Sequence, residues 1–129
     1  MTEDTDVELC HGAQRRIVAV RAAGGLCHAE DFLNGLRERQ KRAYVQFTVR
    51  LSKLAEVGWL RNPEDVRPVE DGESPTVWEI KAHDGPGWRL YGIQDGDTWY
   101  LTHGRKKPGD RRVASEAAKA RQIYGDRSS

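Results

Sequence analysis

Four side chains in the second half of the chain have the types and spacing to bind a phosphate group and move protons around it. Arg89 and Tyr91 are two residues apart in an alternating segment, so they share one face of a β-strand. Lys81 and His103 belong to the segments before and after it. A guanidinium group binds phosphate oxygens in pairs, lysine stabilises negative charge, and imidazole titrates near neutral pH. These residues predict acid–base chemistry on an anionic substrate.

Each of the two cations also has an ordinary alternative role. Arg89 either clamps a phosphate or forms an ion pair with Glu79 on the neighbouring strand, and the sequence favours neither. Lys81 either stabilises charge, and transfers a proton if it is desolvated, or it is a solvated surface lysine. Only the surroundings of these side chains decide between the two roles.

The two ring side chains are equally open to two interpretations. Tyr91 either stacks on a base or assists proton transfer, or it packs as an ordinary strand residue. Strict alternation places His103 with Trp99 and Leu101 on the core face of the sheet. That placement favours a structural histidine over a catalytic one, unless the strand ends or bulges before it.

Basic side chains gather just after the last predicted strand. Four of the 20 acidic side chains lie in residues 1–10, which leaves residues 11–129 with 21 basic and 16 acidic side chains and a net charge of +5. A moderately basic body suits a polyanionic ligand. The cluster expected to bind the phosphates of such a ligand, with an affinity that falls steeply with salt, consists of Arg105, Lys106, Lys107, Arg111 and Arg112.

The sequence gives no clear metal or cofactor motif. Each cysteine precedes a histidine, at Cys10 and Cys27, but neighbouring residues on an extended chain point to opposite sides and the spacing matches no standard zinc pattern. Free thiols are the expectation and a zinc site is the lesser alternative. A Gly-rich phosphate loop with a following lysine, a His-Glu-x-x-His pattern and a nucleophile elbow are all absent from the sequence. We expect chemistry without a metal or cofactor.

The first half of the chain predicts a tail, a strand and a helical region. Residues 1–14 suggest a flexible acidic tail, and the β-branched run at 16–21 suggests a strand. Apolar residues then recur at helical spacing from residue 28 to Gly58. The charged stretch at 37–42 interrupts them, so the region forms either a helical hairpin or one long bent helix.

The second half predicts a sheet and a last helix. Strands are expected at 66–69, 76–82, 88–94 and 98–103, separated by turn residues, and a helix at 111–124. The result is a single α+β domain over residues 15–125 with a short tail at 126–129. In that domain the helices cover one face of an antiparallel sheet and the other face is polar.

Three segments of the second half resemble motifs of the RelE/HigB toxin superfamily, especially its phage-derived branch. Residues 77–81 (VWEIK) look like that branch's aromatic-Glu-Leu-Arg strand, and residues 88–91 (WRLY) look like its aromatic-Arg strand. Residues 101–107 (LTHGRKK) look like its Leu-x-His-Gly-x-Lys-Lys segment, and residues 117–121 fall where the family has an Ala-x-x-x-Arg helix. The likeness covers most of residues 16–125.

The resemblance implies a RelE-like fold and a metal-independent endoribonuclease that cuts messenger RNA, often on translating ribosomes. RNA supplies its own nucleophile, the ribose 2′-hydroxyl. The protein then needs only a base for that hydroxyl, cations for the developing charge and an acid for the leaving 5′-oxygen. The implied partner is an antitoxin, commonly a helix-turn-helix protein. No apolar run approaches the roughly 20 residues that span a bilayer, so a soluble, cytoplasmic protein without a membrane partner is expected.

Two other functions stay open. A toxin of the same fold can act on DNA gyrase, as ParE-type relatives do, and such a binding protein needs no aligned acid–base set. A phage structural or accessory protein can also share the fold without toxicity, because a fold does not determine a function. Arg105 stands where the branch usually has an aromatic residue, and residues 108–112 replace its Thr-Pro-rich stretch, so catalytic detail is the least determined part.

Overall fold

The computed structural model describes residues 6–127, and within that range the chain forms three α-helices and one six-stranded sheet. The sheet order is β1-β2-β6-β5-β4-β3, and the α+β class agrees with the sequence prediction. In chain order the elements are β1 (Val7–His11), β2 (Arg16–Ala19), α1 (His28–Arg39), α2 (Lys41–Val57), β3 (Val66–Pro68), β4 (Trp78–Ala82), β5 (Trp88–Asp95), β6 (Thr98–Lys106), a 3-10 turn (Asp110–Arg112) and α3 (Val113–Gly125).

The helices α1 and α2 form a hairpin, which confirms one of the two alternatives. Gln40 leaves helical geometry, with φ −140° and ψ 65°, at the charged stretch that interrupts the apolar stripe. The second helix ends at Gly58, whose φ of 95° is in the left-handed region that glycine adopts without strain. None of the helices within residues 6–127 is long and apolar enough to cross a lipid bilayer.

Both faces of the sheet carry hydrophobic cores. The larger core lies under α1 and α2 and contains inward strand residues such as Ile80, Leu90 and Leu101. The smaller one lies on the opposite face, where Ala117 and Ala120 of α3 pack against the sheet. The expectation that all helices lie on one face is therefore wrong, because α3 covers part of the polar face.

The chain from residue 6 onward is not the flexible tail that the sequence predicts. Strand β1 pairs antiparallel with β2, and Val7 and Leu9 pack against the larger core. Glu8, between them, forms a 2.6 Å ion pair with Arg16 on β2. This alternation is the pattern of a half-buried strand, which the acidic composition concealed. Residues 1–5 of the predicted tail lie outside the described residues.

The sheet is mixed rather than purely antiparallel, because β2 pairs in parallel with β6. Parallel strands need a long connection, and the chain between β2 and β6 contains the helical hairpin and three strands. The predicted C-terminal tail is also partly anchored. The Arg127 guanidinium lies 4.4 Å from the ring centre of Tyr100 and 4.7 Å from that of Tyr124. Residues 128–129 lie outside the described residues.

Candidate functional site

The predicted site residues lie on the α3 side of the sheet, in two rows that cross the strands. The first, which we call the cation row, consists of Lys81 on β4, Arg89 on β5 and Arg105 on β6, each directly opposite the next. Residues in such positions have Cβ atoms about 5 Å apart, and like charges there are destabilising. Packing alone gives no reason to place three cations side by side.

Arg89 is the most distinctive member of this row. The residue is 6% exposed, and its Nη1 donates a 3.0 Å hydrogen bond to the carbonyl of Trp88. Within residues 6–127 it forms no ion pair with a carboxylate, and its Nε and Nη2 have no hydrogen-bond partner. Glu79, the alternative partner, forms no ion pair with Arg89, because its carboxylate is bonded to Arg67 and Tyr91, although its charge still opposes the lowering of the Arg89 pKa by burial. A buried guanidinium with two free donor nitrogens is a preorganised anion site.

Lys81 lies beside Arg89 and has an unusual environment of its own. Its Nζ donates a 2.7 Å hydrogen bond to the carbonyl of Pro63. Partial burial, followed by the charges of Arg67 and Arg89, lowers the pKa of this lysine. A lowered pKa is the direction that proton exchange by a lysine requires, and the solvated alternative stays open because Lys81 is only half-buried.

A bulge in β6 decides where His103 points. Tyr91 pairs with His103, but its neighbour Gly92 pairs with Leu101, so Thr102 is an extra residue in β6. The bulge reverses the alternation, and His103 leaves the core face on which Leu101 lies. His103 therefore shares a face with Tyr91, and their rings stack with centres 4.8 Å apart.

The second row, which we call the paired row, consists of Arg67, Glu79, Tyr91 and His103, again each opposite the next. Glu79 is 1% exposed and accepts two hydrogen bonds, at 2.8 Å from Arg67 Nε and at 3.2 Å from the Tyr91 hydroxyl. Burial, reinforced by the charge of Glu79, raises the pKa of Tyr91, so its phenol stays protonated and donates. Every member of this row has a partner of the sign or donor type that it needs.

The paired row continues into α3 through Glu116. The Glu116 carboxylate contacts His103 Nε2 at 2.8 Å and accepts a hydrogen bond from Arg105 Nη1 at 2.7 Å. Burial lowers the pKa of His103 to about 4, so the imidazole is neutral at pH 7. Burial would raise the pKa of Glu116, but the hydrogen bonds from His103 and Arg105 lower it. The neutral ring therefore donates from Nε2, and its Nδ1 lies 3.1 Å from the Thr102 hydroxyl, which is also 3.4 Å from the carbonyl of Tyr91.

This geometry divides the four residues predicted to be catalytic. Arg89 and Lys81 are direct neighbours, as the sequence predicts. Tyr91 is 0% exposed and His103 is 2% exposed, so neither can touch a substrate in this conformation. His103 has the buried, hydrogen-bonded environment that a structural histidine has, and it lies on the opposite face of the sheet from the one that strict alternation predicts. Its place between Tyr91 and Glu116 holds α3 against the sheet.

The predicted basic cluster lies at the same end of the sheet, and its members differ. Arg105 is held by Glu116, whereas the other four side chains are exposed: Lys106, Lys107, Arg111 and Arg112. The amide of Lys107 donates a 2.9 Å hydrogen bond to the carbonyl of Gly87, next to the cation row. Lys107 is also among the charges that lower the pKa of Lys81. It thus extends the positive surface from the cation row to the solvent.

Two residues of this region were not identified from the sequence. Glu116 is the only acid between residues 111 and 125, and helical spacing puts it on the inward stripe with Val113 and Ala120. A carboxylate on the inward face of a helix indicates a hydrogen-bond or ion-pair partner in the protein interior. Arg67 gave no comparable signal, because its pairing with Glu79 depends on the register between β3 and β4.

Among residues 6–127, the histidine, cysteine, aspartate and glutamate side chains form no group of three or more that could hold a metal ion. Comparison with known proteins identifies no relative: no family model, no curated protein and no solved structure matches the chain. The resemblance to the RelE/HigB superfamily therefore rests on the sequence motifs alone.

Proposed function

We propose that this protein is the toxin of a type II toxin–antitoxin system, a metal-independent endoribonuclease of the RelE/HigB type that cuts messenger RNA on ribosomes. The observation that carries the proposal is Arg89, a buried guanidinium between two other cations and without a carboxylate partner among residues 6–127. Like charges in neighbouring strands repel one another, and an RNA phosphate bound to Arg89 would offset that repulsion.

In the proposed reaction the scissile phosphate binds to the free donors of Arg89, with Lys81 beside it. Unprotonated Lys81 takes the proton from the ribose 2′-hydroxyl, and the 2′-oxygen forms a bond to phosphorus. The bond from phosphorus to the 5′-oxygen breaks, and the protonated lysine or water returns a proton to that oxygen. The products are a 2′,3′-cyclic phosphate and a 5′-hydroxyl end, and no oxidant or metal takes part. Arg89 stabilises the charge that develops on the phosphorane.

The partners in this proposal are messenger RNA, the ribosome and a helix-turn-helix antitoxin that neutralises the toxin in the cytoplasm. The exposed cations Lys106, Lys107, Arg111 and Arg112 support the first two, because they extend the positive surface beyond one phosphate. The antitoxin and the cellular location follow from the resemblance.

The direct test is digestion of RNA in EDTA, with and without ribosomes, followed by mapping of the ends. We expect cuts that leave 5′-hydroxyl ends, and their loss in Arg89→Ala. Arg37→Ala is the matched control, because Arg37 is an exposed arginine on α1, far along the chain from the site. A thermal melt of each variant shows that the protein is folded. If neither free nor ribosome-bound RNA is cut by the folded wild type, the proposal is wrong.

One observation favours a second candidate, a toxin of the same fold that binds DNA gyrase without cutting RNA. Two of the four expected acid–base groups, Tyr91 and His103, are buried, which leaves Lys81 as the one side chain of the four that can exchange protons with a substrate. A binding surface needs cations but no acid–base set. Inhibition of DNA supercoiling by purified gyrase, with intact RNA, would establish this candidate. Normal bacterial growth during soluble expression would instead favour a non-toxic phage accessory protein.

A further inference from the structure

Exposed apolar side chains gather on the outer face of α2. Of the five large hydrophobic residues that are exposed among residues 6–127, four lie on this helix or directly after it: Val45, Val49, Val57 and Trp59. Val45 and Val49 are 55% and 61% exposed and one turn apart, whereas Phe47 and Leu51 are on the inward side of the helix. Single exposed apolar residues are normal, but a contiguous set marks an interaction surface.

Two charged side chains without partners flank this pair of valines. Arg42 lies seven residues before Val49 and Glu56 lies seven residues after it. Seven residues are about two turns of helix, so all three side chains share the outer face of α2. Arg42 and Glu56 are exposed, and among residues 6–127 neither side chain forms a hydrogen bond or an ion pair. The outer face therefore carries, in order, a cation, two valines and an anion.

This order is complementary to itself. A two-fold axis that passes beside Val49, perpendicular to the helix, reverses the direction of α2 in a second copy and places Val49 against the same residue of that copy. Arg42 and Glu56 are equally far from Val49, so Arg42 of each copy then faces Glu56 of the other. Two ion pairs thus form at the ends of one apolar contact.

We propose that α2 forms the interface of a homodimer, in which the outer faces of two copies pack antiparallel across a two-fold axis at Val49. Val45 lies four residues before the axis and Lys53 four residues after it, so these two also face each other. The Lys53 ammonium lies 5.1 Å from the centre of the Trp59 ring, which leaves the methylene stem to pack against Val45.

A shallow depression beside the Arg42 end of α2 fits this arrangement. It has a volume of about 490 Å³, and its lining includes Lys41, Gln46 and Asp84. Val57 lies eleven residues, about three turns, after Gln46 and is therefore on the same side of the helix. The two-fold axis brings Val57 of the second copy level with Lys41, so this exposed valine reaches the depression.

The charges of this face select a second copy over other occupants. An RNA backbone or an anionic membrane would attract Arg42 but repel Glu56, whereas a second copy needs both. Since α2 and the cation row lie on opposite faces of the sheet, each copy keeps its cation row open, and the inference does not depend on the proposed function.

Sedimentation equilibrium of the whole chain, from about 1 μM to about 1 mM, tests the proposal. One pair of helices makes an interface at or below the low end of the roughly 1,200–2,000 Å² of standard complexes, so we expect a reversible dimer. The mass should rise with concentration from one copy to two and then stop, because an interface around a two-fold axis is closed. The mass of one copy throughout, or growth beyond two copies, overturns the proposal.

Charge reversal identifies the interface. Arg42→Glu and Glu56→Arg each place like charges at two points of the dimer and should weaken it about tenfold or more. The double variant restores opposite charges and should associate nearly as well as the wild type. Lys119→Glu, on the exposed side of α3, is the control and should leave the association unchanged. A single variant that dimerises like the wild type, or a double variant as weak as the single ones, contradicts the proposal.

A substitution on the axis has the largest expected effect. Val49→Glu places two carboxylates face to face and should leave a monomer at every concentration tested. All the substituted positions are exposed, so thermal melts should show a folded protein in each case. If Val49→Glu dimerises as the wild type does, the interface lies elsewhere and the proposal is wrong.

Discussion

The two rows on the α3 side of the sheet contain similar residues but differ in whether their charged groups face a partner of opposite charge. In the paired row each charged or polar group faces a complement, and α3 closes over Tyr91 and His103. In the cation row, one step further along the same strands, Lys81, Arg89 and Arg105 face one another. Cross-strand register determines which groups meet, so it decides which row is structure and which is available to a ligand.

The difference has an energetic consequence. A buried ion pair contributes little net stability over an apolar pair, but breaking one leaves an uncompensated buried charge. Loss of a partner in the paired row should therefore destabilise the fold. Removal of Arg89 or Lys81, the two members of the cation row without a carboxylate partner among residues 6–127, relieves repulsion and should instead affect only the binding of an anion. Four predictions test this division.

The largest expected effect concerns Arg89→Met, which keeps an unbranched stem and removes the charge. RNA cleavage should fall about 100-fold or more, because the charge that stabilises the phosphorane is lost. The melting temperature should stay the same or rise, since a desolvated cation leaves the space between two others. Cleavage rates and thermal melts measured on the same preparation check this. A drop in both stability and activity would place Arg89 with the paired row.

Glu79→Gln should lower the free energy of unfolding by about 2 kcal/mol, because it leaves Arg67 and Tyr91 without an anionic acceptor. Glu8→Gln is the matched control: its ion pair with Arg16 is exposed, and its loss should cost about 0–1 kcal/mol. Urea unfolding gives both values. If the two substitutions lowered the free energy of unfolding equally, burial of the paired row would not increase its contribution to stability.

Acid should weaken the paired row through His103. Burial lowers its pKa to about 4 in the folded protein, against 6.5 in an unfolded chain, so between these values the unfolded state binds more protons. Stability therefore falls as the pH drops below 6.5, by about 1 kcal/mol between pH 6 and pH 5. Urea unfolding at a series of pH values should show this slope, and His103→Gln should reduce it. His83→Gln, which removes an exposed histidine, should leave the slope unchanged.

The smallest effect is expected at the solvent edge of the cation row. Lys107→Ala should weaken binding of single-stranded RNA a few-fold and reduce the slope of log K against log salt by about 0.7, because one phosphate contact is lost. Lys41→Ala, at the start of α2, should change neither quantity. Salt titrations monitored by fluorescence anisotropy measure both slopes. Identical slopes for the two variants would exclude Lys107 from the RNA path.

Several features of the fold and site could be predicted from short stretches of sequence. Alternation alone placed Lys81, Arg89 and Tyr91 on one face, and the structure confirms it. The Asp-Gly turn before β6 was equally readable, and the helical hairpin was one of the two alternatives that the sequence left open. These features depend on residues within a few positions of one another, where backbone geometry repeats every two or every 3.6 residues.

The strand at residues 7–11 shows how composition can mislead. Its acids suggested a tail, although Val7 and Leu9 carried the alternation of a strand. The parallel pairing of β2 with β6 was not readable at all, because no local pattern specifies which strand a distant segment will join.

What the sequence by itself determined is the type of each main element and the residues that share a face. Only the tertiary structure decided three further points: that Glu79 binds Arg67 rather than Arg89, that the bulge at Thr102 turns His103 to the other face, and that α3 covers part of the polar face. The physical reason is that the local backbone determines on which face of a strand or helix a side chain lies. The register between strands, and the face of the sheet on which a helix packs, depend on contacts between segments far apart in the chain.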